Sequence, residues 1–442
     1  VELDYKSTDY KLRFDEVLIK LRFFNVYDLL LYKAGQRKQT PDELYSFFRS
    51  KGINKAKLVS MQNHGMIPDD NHLLNAVLEY LDMSSVAELQ ISLGRIPDGY
   101  TKAWLDNANK IVELLKNNGQ DAVNKKSRQF QPYFSTNLGT LYKGDCLELF
   151  QMIPNRSVDC LFADPPFNLD KEYDNGVKDK RTYSEYVSWC IKWLDECVRV
   201  LKPGGSLFIY NIPKWHTYLA NYLNEKLNFW NWIAVDMKFS LPIRNRLYPA
   251  HYSLLYYVKG EKPKTYHAQR IPLQTCRHCG GELRDYGGYK NKMNPKGVNI
   301  SDVWSDIYPV RHGNAKTRKF NELPLKLLDR IISMATNEGD TVLDPFGGSG
   351  TTFVVSELLK RKWIGFELGN CDIIEERITH PEKDKVLLAK IYEEKNILFP
   401  NKVRKLRRDN GFWLDDDFRK KDDNQDQKEK QERKAEQMNL EF

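Results

Sequence analysis

The stretch Thr341-Val342-Leu343-Asp344-Pro345-Phe346-Gly347-Gly348-Ser349-Gly350-Thr351-Thr352 limits what this chain can fold into more than any other. It reads as a short apolar strand, a glycine-rich turn and the start of a helix. Glycines at such a turn let the backbone pass close to a ligand. The helix start beyond it presents free N–H groups and the positive end of a dipole. In open α/β sheets, ligands bind at the carboxyl ends of the strands, where a turn of this kind lies. Ile364-Gly365-Phe366-Glu367 then ends in an acid about 20 residues past the turn, from which a carboxylate accepts hydrogen bonds from ribose hydroxyls. A dinucleotide site and a tight turn with no ligand also satisfy these residues.

The surroundings predict the sheet that such a turn requires. Val158 to Ala163, Ser206 to Tyr210, His251 to Val258, Thr341 to Leu343 and Trp363 to Glu367 read as strands. Tyr186 to Leu201 (closed by Lys202-Pro203-Gly204-Gly205), Leu323 to Ala335 and Thr352 to Leu359 read as helices. This alternation implies an α/β fold with a mostly parallel sheet and helices on both faces. Residues 1–130 differ, being helical in pattern and poor in glycine: Leu73, Leu74, Val77, Leu78 and Leu81 share one helical face, and Asp69 and Asp70 stand before it as caps. We therefore expect a helical accessory domain over 1–130 and a main domain over 138–400. Within the latter the alternation stops between about 258 and 321, an irregular insertion rich in Gly, Lys and Arg and long for a plain connection. Residues 401–442 form a charged tail, with nothing aliphatic larger than Ala435 between Arg419 and Glu436.

Composition narrows the setting. At 41% hydrophobic, 442 residues can bury a sizeable core, and a net charge of +8 suits a polyanionic partner. No run of about 18 apolar residues marks a membrane helix. Seven scattered cysteines, an odd count, read as reduced thiols of a cytoplasmic protein.

A second motif supplies chemistry. Ala163-Asp164-Pro165-Pro166-Phe167-Asn168 follows the buried strand 158–163. Two prolines stiffen the turn and remove two donors, leaving a carboxylate, bare carbonyls and an aromatic face. That set suits a planar base bearing an NH2 group. The Asp164 carboxylate and the Pro165 carbonyl each accept one amino hydrogen, localising the nitrogen lone pair, and Phe167 stacks on the ring. In-line approach to an electrophilic methyl then needs alignment more than chemistry. A Pro-Pro turn with an Asp cap is the structural alternative.

Asp164-Pro165-Pro166-Phe167 ahead of Phe346-Gly347-Gly348-Ser349-Gly350-Thr351 resembles the beta class of amino-group DNA methyltransferases, in which the catalytic loop precedes the cofactor loop. The resemblance covers about Leu141 to Ile378 and implies a Rossmann-like, S-adenosylmethionine-dependent methyltransferase fold. It implies catalytic roles for Asp164, Pro165, Pro166 and Phe167. It implies cofactor contacts for Asp145, Cys146, Asp164, Asp344, Phe346, Gly347, Gly348, Ser349, Gly350, Thr351 and Glu367, with Asp145 reaching the cofactor adenine. Glu322 to Ile331 is similar to the helix leading to the cofactor loop, departing from it by Leu323-Pro324 where Lys-Pro is usual. An acid at the head of the catalytic loop favours adenine N6; cytosine N4 is the alternative within the class, and a non-catalytic DNA-binding or scaffold subunit the alternative outside it.

A target amine inside a duplex has to be flipped out, which demands phosphate contacts and sequence readout. Arg244, Arg246, Arg311, Lys316, Arg318 and Lys319, interleaved with Tyr248 and Tyr252, are the candidate DNA-binding cations around the insertion. Cys276-Arg277-His278-Cys279-Gly280-Gly281 resembles half a zinc knuckle; with His267 as the only further ligand, a tight turn carrying two thiols is the favoured reading and no metal is assigned. Gly65 to Gly94 resembles the later helices of lambda-repressor-like helix-turn-helix domains. The final Gln437-Met438-Asn439-Leu440-Glu441-Phe442 is similar to bacterial sliding-clamp-binding peptides, with Gln437, Leu440 and Phe442 as anchors. The expected partners are double-stranded DNA, the clamp and a second copy of the chain. The expected setting is a restriction-modification system in the bacterial cytoplasm, associated with the nucleoid through DNA.

Overall fold

The computed structural model describes residues 25–61, 67–68, 70–95, 100–108, 110–111, 130–170, 179, 181–238, 241–245, 247–281, 293–310 and 322–415. Two compact units divide the chain: Val1–Gln129 with Pro166–Glu196, and Phe130–Pro165 with Cys197–Phe442. The boundary thus falls inside the Pro-Pro turn, and the stretch after it belongs with the N-terminal helices.

In the first unit, helices Val26–Gln36, Pro41–Ser50, Lys55–Ser60, Asn71–Leu81 and Val86–Ser92 surround one core that includes Leu30, Leu44, Phe48, Leu58, Val77 and Leu89. Each begins at a residue whose side chain accepts from an otherwise unpaired backbone N–H: Asn25, Thr40, Asn54, Asp70 and Ser85. Thr40 and Glu43 close a full capping box. Of the two expected caps before Asn71, Asp70 accepts from His72 and Leu73, while Asp69 lies outside the described residues. Asn25 also donates from Nδ2 to Ser184 Oγ at 2.9 Å, tying the front to the later stretch of the same unit.

The second unit is built on β1 (Phe134–Ser135), β2 (Gly139–Lys143), β3 (Val158–Ala163), β4 (Leu201–Asn211), β5 (Asn228–Asp236), β6 (His251–Val258), β7 (Arg270–Ile271), β8 (Val298–Asn299), β9 (Val303–Trp304), β10 (Thr341–Asp344) and β11 (Lys362–Glu367). Nine of them form one sheet in the order β1-β2-β11-β10-β3-β4-β6-β5-β9. From β2 to β4 all neighbours are parallel, while β6 runs antiparallel to β4 and β5. Every residue of β3 is buried, as a strand covered on both faces should be. Its one acid, Asp159, is compensated: Lys202 Nζ at 2.6 Å and the Thr341 N–H at 3.0 Å both donate to Oδ2.

Most element ends move by one to three residues from the sequence reading, and the largest shift, at the start of β4, has a clear reason. Lys202-Pro203-Gly204-Gly205 does not stand as a turn between helix and strand; the helix Tyr183–Val200 ends and β4 begins at Leu201. Gly204 finds backbone partners across the sheet, donating to Lys259 O at 2.6 Å and accepting from the Lys264 N–H at 2.9 Å. The expected insertion is irregular for most of its described length, but β9 adds to the sheet edge through Ala234↔Val303 and Val235↔Trp304.

Candidate active site

Topology fixes where a ligand can sit. After β3 the chain continues to β4 on one side, and after β10 it continues to β11 on the other. The β10/β3 boundary is therefore a switch point, with a crevice outside the carboxyl ends of the strands. Val342 pairs with Cys160 and Leu343 with Leu161, so the turn after Asp344 and the turn after Ala163 leave the sheet side by side. The two motifs, separated by about 180 residues of chain, meet at this edge. Lys143 pairs with Glu367, which brings the turn Gly144-Asp145-Cys146 to the same edge.

The glycine-rich turn is held from several sides. Asp344 is buried; its Oδ1 accepts from the Phe346 N–H at 2.9 Å and its Oδ2 from the Thr352 hydroxyl. Burial pushes its carboxyl up to about 7, with the Glu367 charge adding to the rise and the two hydrogen bonds opposing it. Gly347 must lack a side chain because a Cβ would lie 2.8 Å from the Phe353 ring. Gly350 has φ +77°, and a Cβ there would also meet Ile374 at 2.9 Å. Glu367 braces the turn, its Oε2 accepting from the Gly348 N–H at 2.6 Å and its Oε1 from the Gly369 N–H at 2.7 Å. Asp145 is exposed and caps the helix Cys146–Leu149 through the Leu147 N–H at 2.8 Å; Cys146 is buried.

Arg377 has no counterpart in the sequence reading. Buried on helix Asp372–Thr379, it donates to Ser349 O at 3.1 Å and Thr351 Oγ1 at 2.9 Å. It grips Asp384 with a two-pronged contact at 2.9 and 2.8 Å, and Glu322 Oε1 lies 3.4 Å away. Leu323 O accepts from the Thr351 hydroxyl at 3.3 Å. A basic residue in a short helix among many carries no pattern that would single it out from sequence.

On the other side of the crevice, Ala163 pairs with Ile209, which sets Asp164 level with Tyr210 at the end of β4. Tyr210 and Tyr252 face each other with ring centroids 5.1 Å apart. Burial raises both phenols, Tyr210 well above the usual tyrosine range, and the Asp164 carboxylate adds to the rise in each. Both stay neutral at physiological pH and keep an O–H to donate. In the first unit, Tyr186 donates to Pro166 O at 2.6 Å, so that carbonyl is already engaged, and Phe167 is buried.

The remaining expectations separate. Arg244 is exposed on the loop between β5 and β6. Arg246, Arg311, Lys316, Arg318 and Lys319 lie outside the described residues, as do Gln437, Leu440 and Phe442. Cys276 and Cys279 lie on a tight turn: Cys276 O accepts from the Gly280 N–H at 2.9 Å and Cys279 Sγ from the Gly281 N–H at 3.4 Å. His267 points elsewhere, its Nε2 lying 2.8 Å from Asn337 Oδ1, and among the described residues no group of three or more metal ligands assembles. A cavity of about 490 Å³ opens between residues 269–277 and helices Leu325–Ala335 and Asn401–Asp409, away from the crevice. Its Lys326 and Arg330 are occupied by Asp306, and Lys395 by Asp329. Among the described residues no helix is long and apolar enough to cross a membrane.

A glycine-rich turn beside an Asp-Pro-Pro turn at a strand switch point, on a mixed sheet with flanking helices, defines a Rossmann-like methyltransferase. The N6/N4 DNA methylase family model matches residues 158–376, the span containing both turns. The type II methyltransferase M.BamHI of Bacillus amyloliquefaciens is 61% identical over 422 residues, covering 95% of this chain and 99% of that one. M.HpaI of Haemophilus parainfluenzae is 32% identical across 51% of this chain and 68% of its own. The DNA adenine methyltransferase YhdJ of Escherichia coli (strain K12) is 30% identical across 54% and 81%. The chain belongs to the type II DNA methyltransferases: it is an enzyme that acts on DNA with S-adenosylmethionine as methyl donor.

Proposed function

We propose that this enzyme methylates N6 of an adenine flipped out of duplex DNA, with Asp164 and Pro165 gripping the amine and residues 344–351 and Glu367 holding the methyl donor. The observation that carries this reading is the β10/β3 register, which sets the two turns next to each other at one sheet edge. The helix start at Thr351, directly after the turn, suits a cofactor carrying a carboxylate. Each Glu367 oxygen accepts one backbone N–H and has a lone pair left for a ribose hydroxyl. When bound, S-adenosylmethionine supplies an electrophilic methyl group on a sulfonium.

The chain's own residues do the rest. Asp164 Oδ and Pro165 O accept the two amino hydrogens, which turns the nitrogen lone pair out of conjugation and towards the donor side of the crevice. The proton that the methylated nitrogen sheds passes to Asp164. Tyr210 and Tyr252 supply neutral aromatic walls to the base. The same two acceptors fit N4 of cytosine, so the preference for adenine rests on the acid at the head of the turn. Arg244 and the cations at 246, 311, 316, 318 and 319 hold phosphates. Gln437, Leu440 and Phe442 engage a sliding clamp, two copies of the chain pair on DNA, and the enzyme works in the cytoplasm at the nucleoid.

Digestion and mass spectrometry of DNA treated with the enzyme should show N6-methyladenine; N4-methylcytosine alone would move the target to the other base. Asp164→Ala should lose at least about 100-fold in rate, in the range seen when a positioned acid–base group is removed. S-adenosylmethionine binding by calorimetry should survive in that variant. Undiminished methylation by Asp164→Ala would sink the assignment.

A further inference from the structure

Between β5 and β6, the described residues 241–245 and 247–250 break the rule that large apolar side chains find cover. Leu247 is 96% exposed, Leu241 80%, Tyr248 43% and Ile243 37%, with exposed Arg244 among them. Four large apolar side chains on one loop mark a contact surface, since isolated exposed residues are common but clusters are not. The position of the loop says what it meets. The β5/β6 pairing ends at Asp236↔His251, and Asn211 at the carboxyl end of β4 pairs with Ser253. The loop therefore springs from the same sheet edge as Asp164, two strands from β3, a lateral offset of about 10 Å at normal strand spacing. Its chain runs directly into Tyr252, whose phenol senses the Asp164 carboxylate.

Removing one base from a duplex stack leaves an apolar gap and an unpaired partner base. Proteins that open a stack fill it with apolar side chains, flanked by cations that hold phosphates. We propose that Leu247 is the wedge that enters the duplex where the target base leaves, with Leu241, Ile243 and Tyr248 packed against the opened groove and Arg244 on its phosphates. This rests on the reading above that the target base is extruded towards Asp164. The apolar cluster and its cation fit DNA better than a second copy of the chain, because a self-contact here would close the edge through which the base must pass.

The test compares two duplexes carrying a sequence that the wild-type enzyme methylates, one fully paired and one mispaired at the target base. A mispaired base opens without help, so a wedge matters only for the paired duplex. Leu247→Ala should lose at least about tenfold in kcat on the paired duplex, the scale set by one leucine's burial. On the mispaired duplex it should come within about twofold of wild type, with S-adenosylmethionine affinity unchanged and Leu247→Met restoring the paired rate. Wild-type kcat for Leu247→Ala on paired DNA, or an equal loss on both duplexes, overturns the wedge. A shift from dimer to monomer in sedimentation without mispair rescue also overturns it and hands the surface to a second copy. Undiminished methylation of both duplexes by Asp164→Ala overturns the reading beneath, and the wedge with it.

Discussion

Asp344 shows how a single side chain can both shape a site and tune its stability. Its carboxyl is raised from the usual 3.8 to about 7, chiefly by burial. Between these values the unfolded chain has released the proton while the folded chain keeps it, so the native state binds more protons. Stability then falls as pH rises from about 4 to about 7 and levels off above, a change on the order of a few kcal/mol. Asn at this position keeps an acceptor for the Phe346 N–H and cannot ionise. Thermal melts of Asp344→Asn should therefore lack the decline that wild type shows between about pH 4 and about pH 7. Parallel melting curves across that range would contradict the buried-acid account. The residue was legible in sequence as part of the turn, but its protonation was not, because burial and the nearness of Glu367 arise only on folding.

At the scale of elements, the cofactor turn is not self-supporting. Helix Asp372–Thr379 sends Arg377 under it, and helix Glu382–Glu393 sends Asp384 to hold Arg377. All three side chains that meet there, including Glu322, are buried. Arg377→Ala would strand the Asp384 carboxylate, take a cation from beside Glu322 and leave the Ser349 carbonyl without this donor. We expect a loss of about 3–5 kcal/mol in chemical denaturation, together with weaker S-adenosylmethionine binding in calorimetry. A change below about 1 kcal/mol would mean that the network contributes no more than an exposed ion pair. The turn itself was readable because its glycines and its strand are contiguous. Its anchor was not, because the contact from residue 377 back to 349 and 351 depends on how a helix packs.

At the scale of the whole molecule, the division into units differs from the simplest reading. A linear boundary near residue 130 is natural from composition, yet Pro166–Glu196 belongs with the N-terminal helices. The Asn25–Ser184 hydrogen bond is one of the contacts that draws that stretch forward. The far end of the chain makes a prediction of its own. If Gln437, Leu440 and Phe442 form a clamp peptide, changing Leu440 and Phe442 to Ala should abolish binding to a bacterial sliding clamp in surface plasmon resonance. Methylation of short duplexes, which carry no clamp, should be unaffected. Equal clamp affinity for wild type and the double variant would remove the peptide from the account.

The amino-acid sequence alone determined the parallel strands β3, β4, β10 and β11, the glycine-rich turn, the Asp-Pro-Pro turn and the helical front, since each depends on a periodicity or on residues adjacent in the chain. Folding alone decided that 164 and 346 are neighbours, that Arg377 lies beneath the turn, that Tyr210 and Tyr252 stand beside Asp164, and that Leu247 is bare. Those facts come from strand order and register, which bring together residues that no local pattern connects.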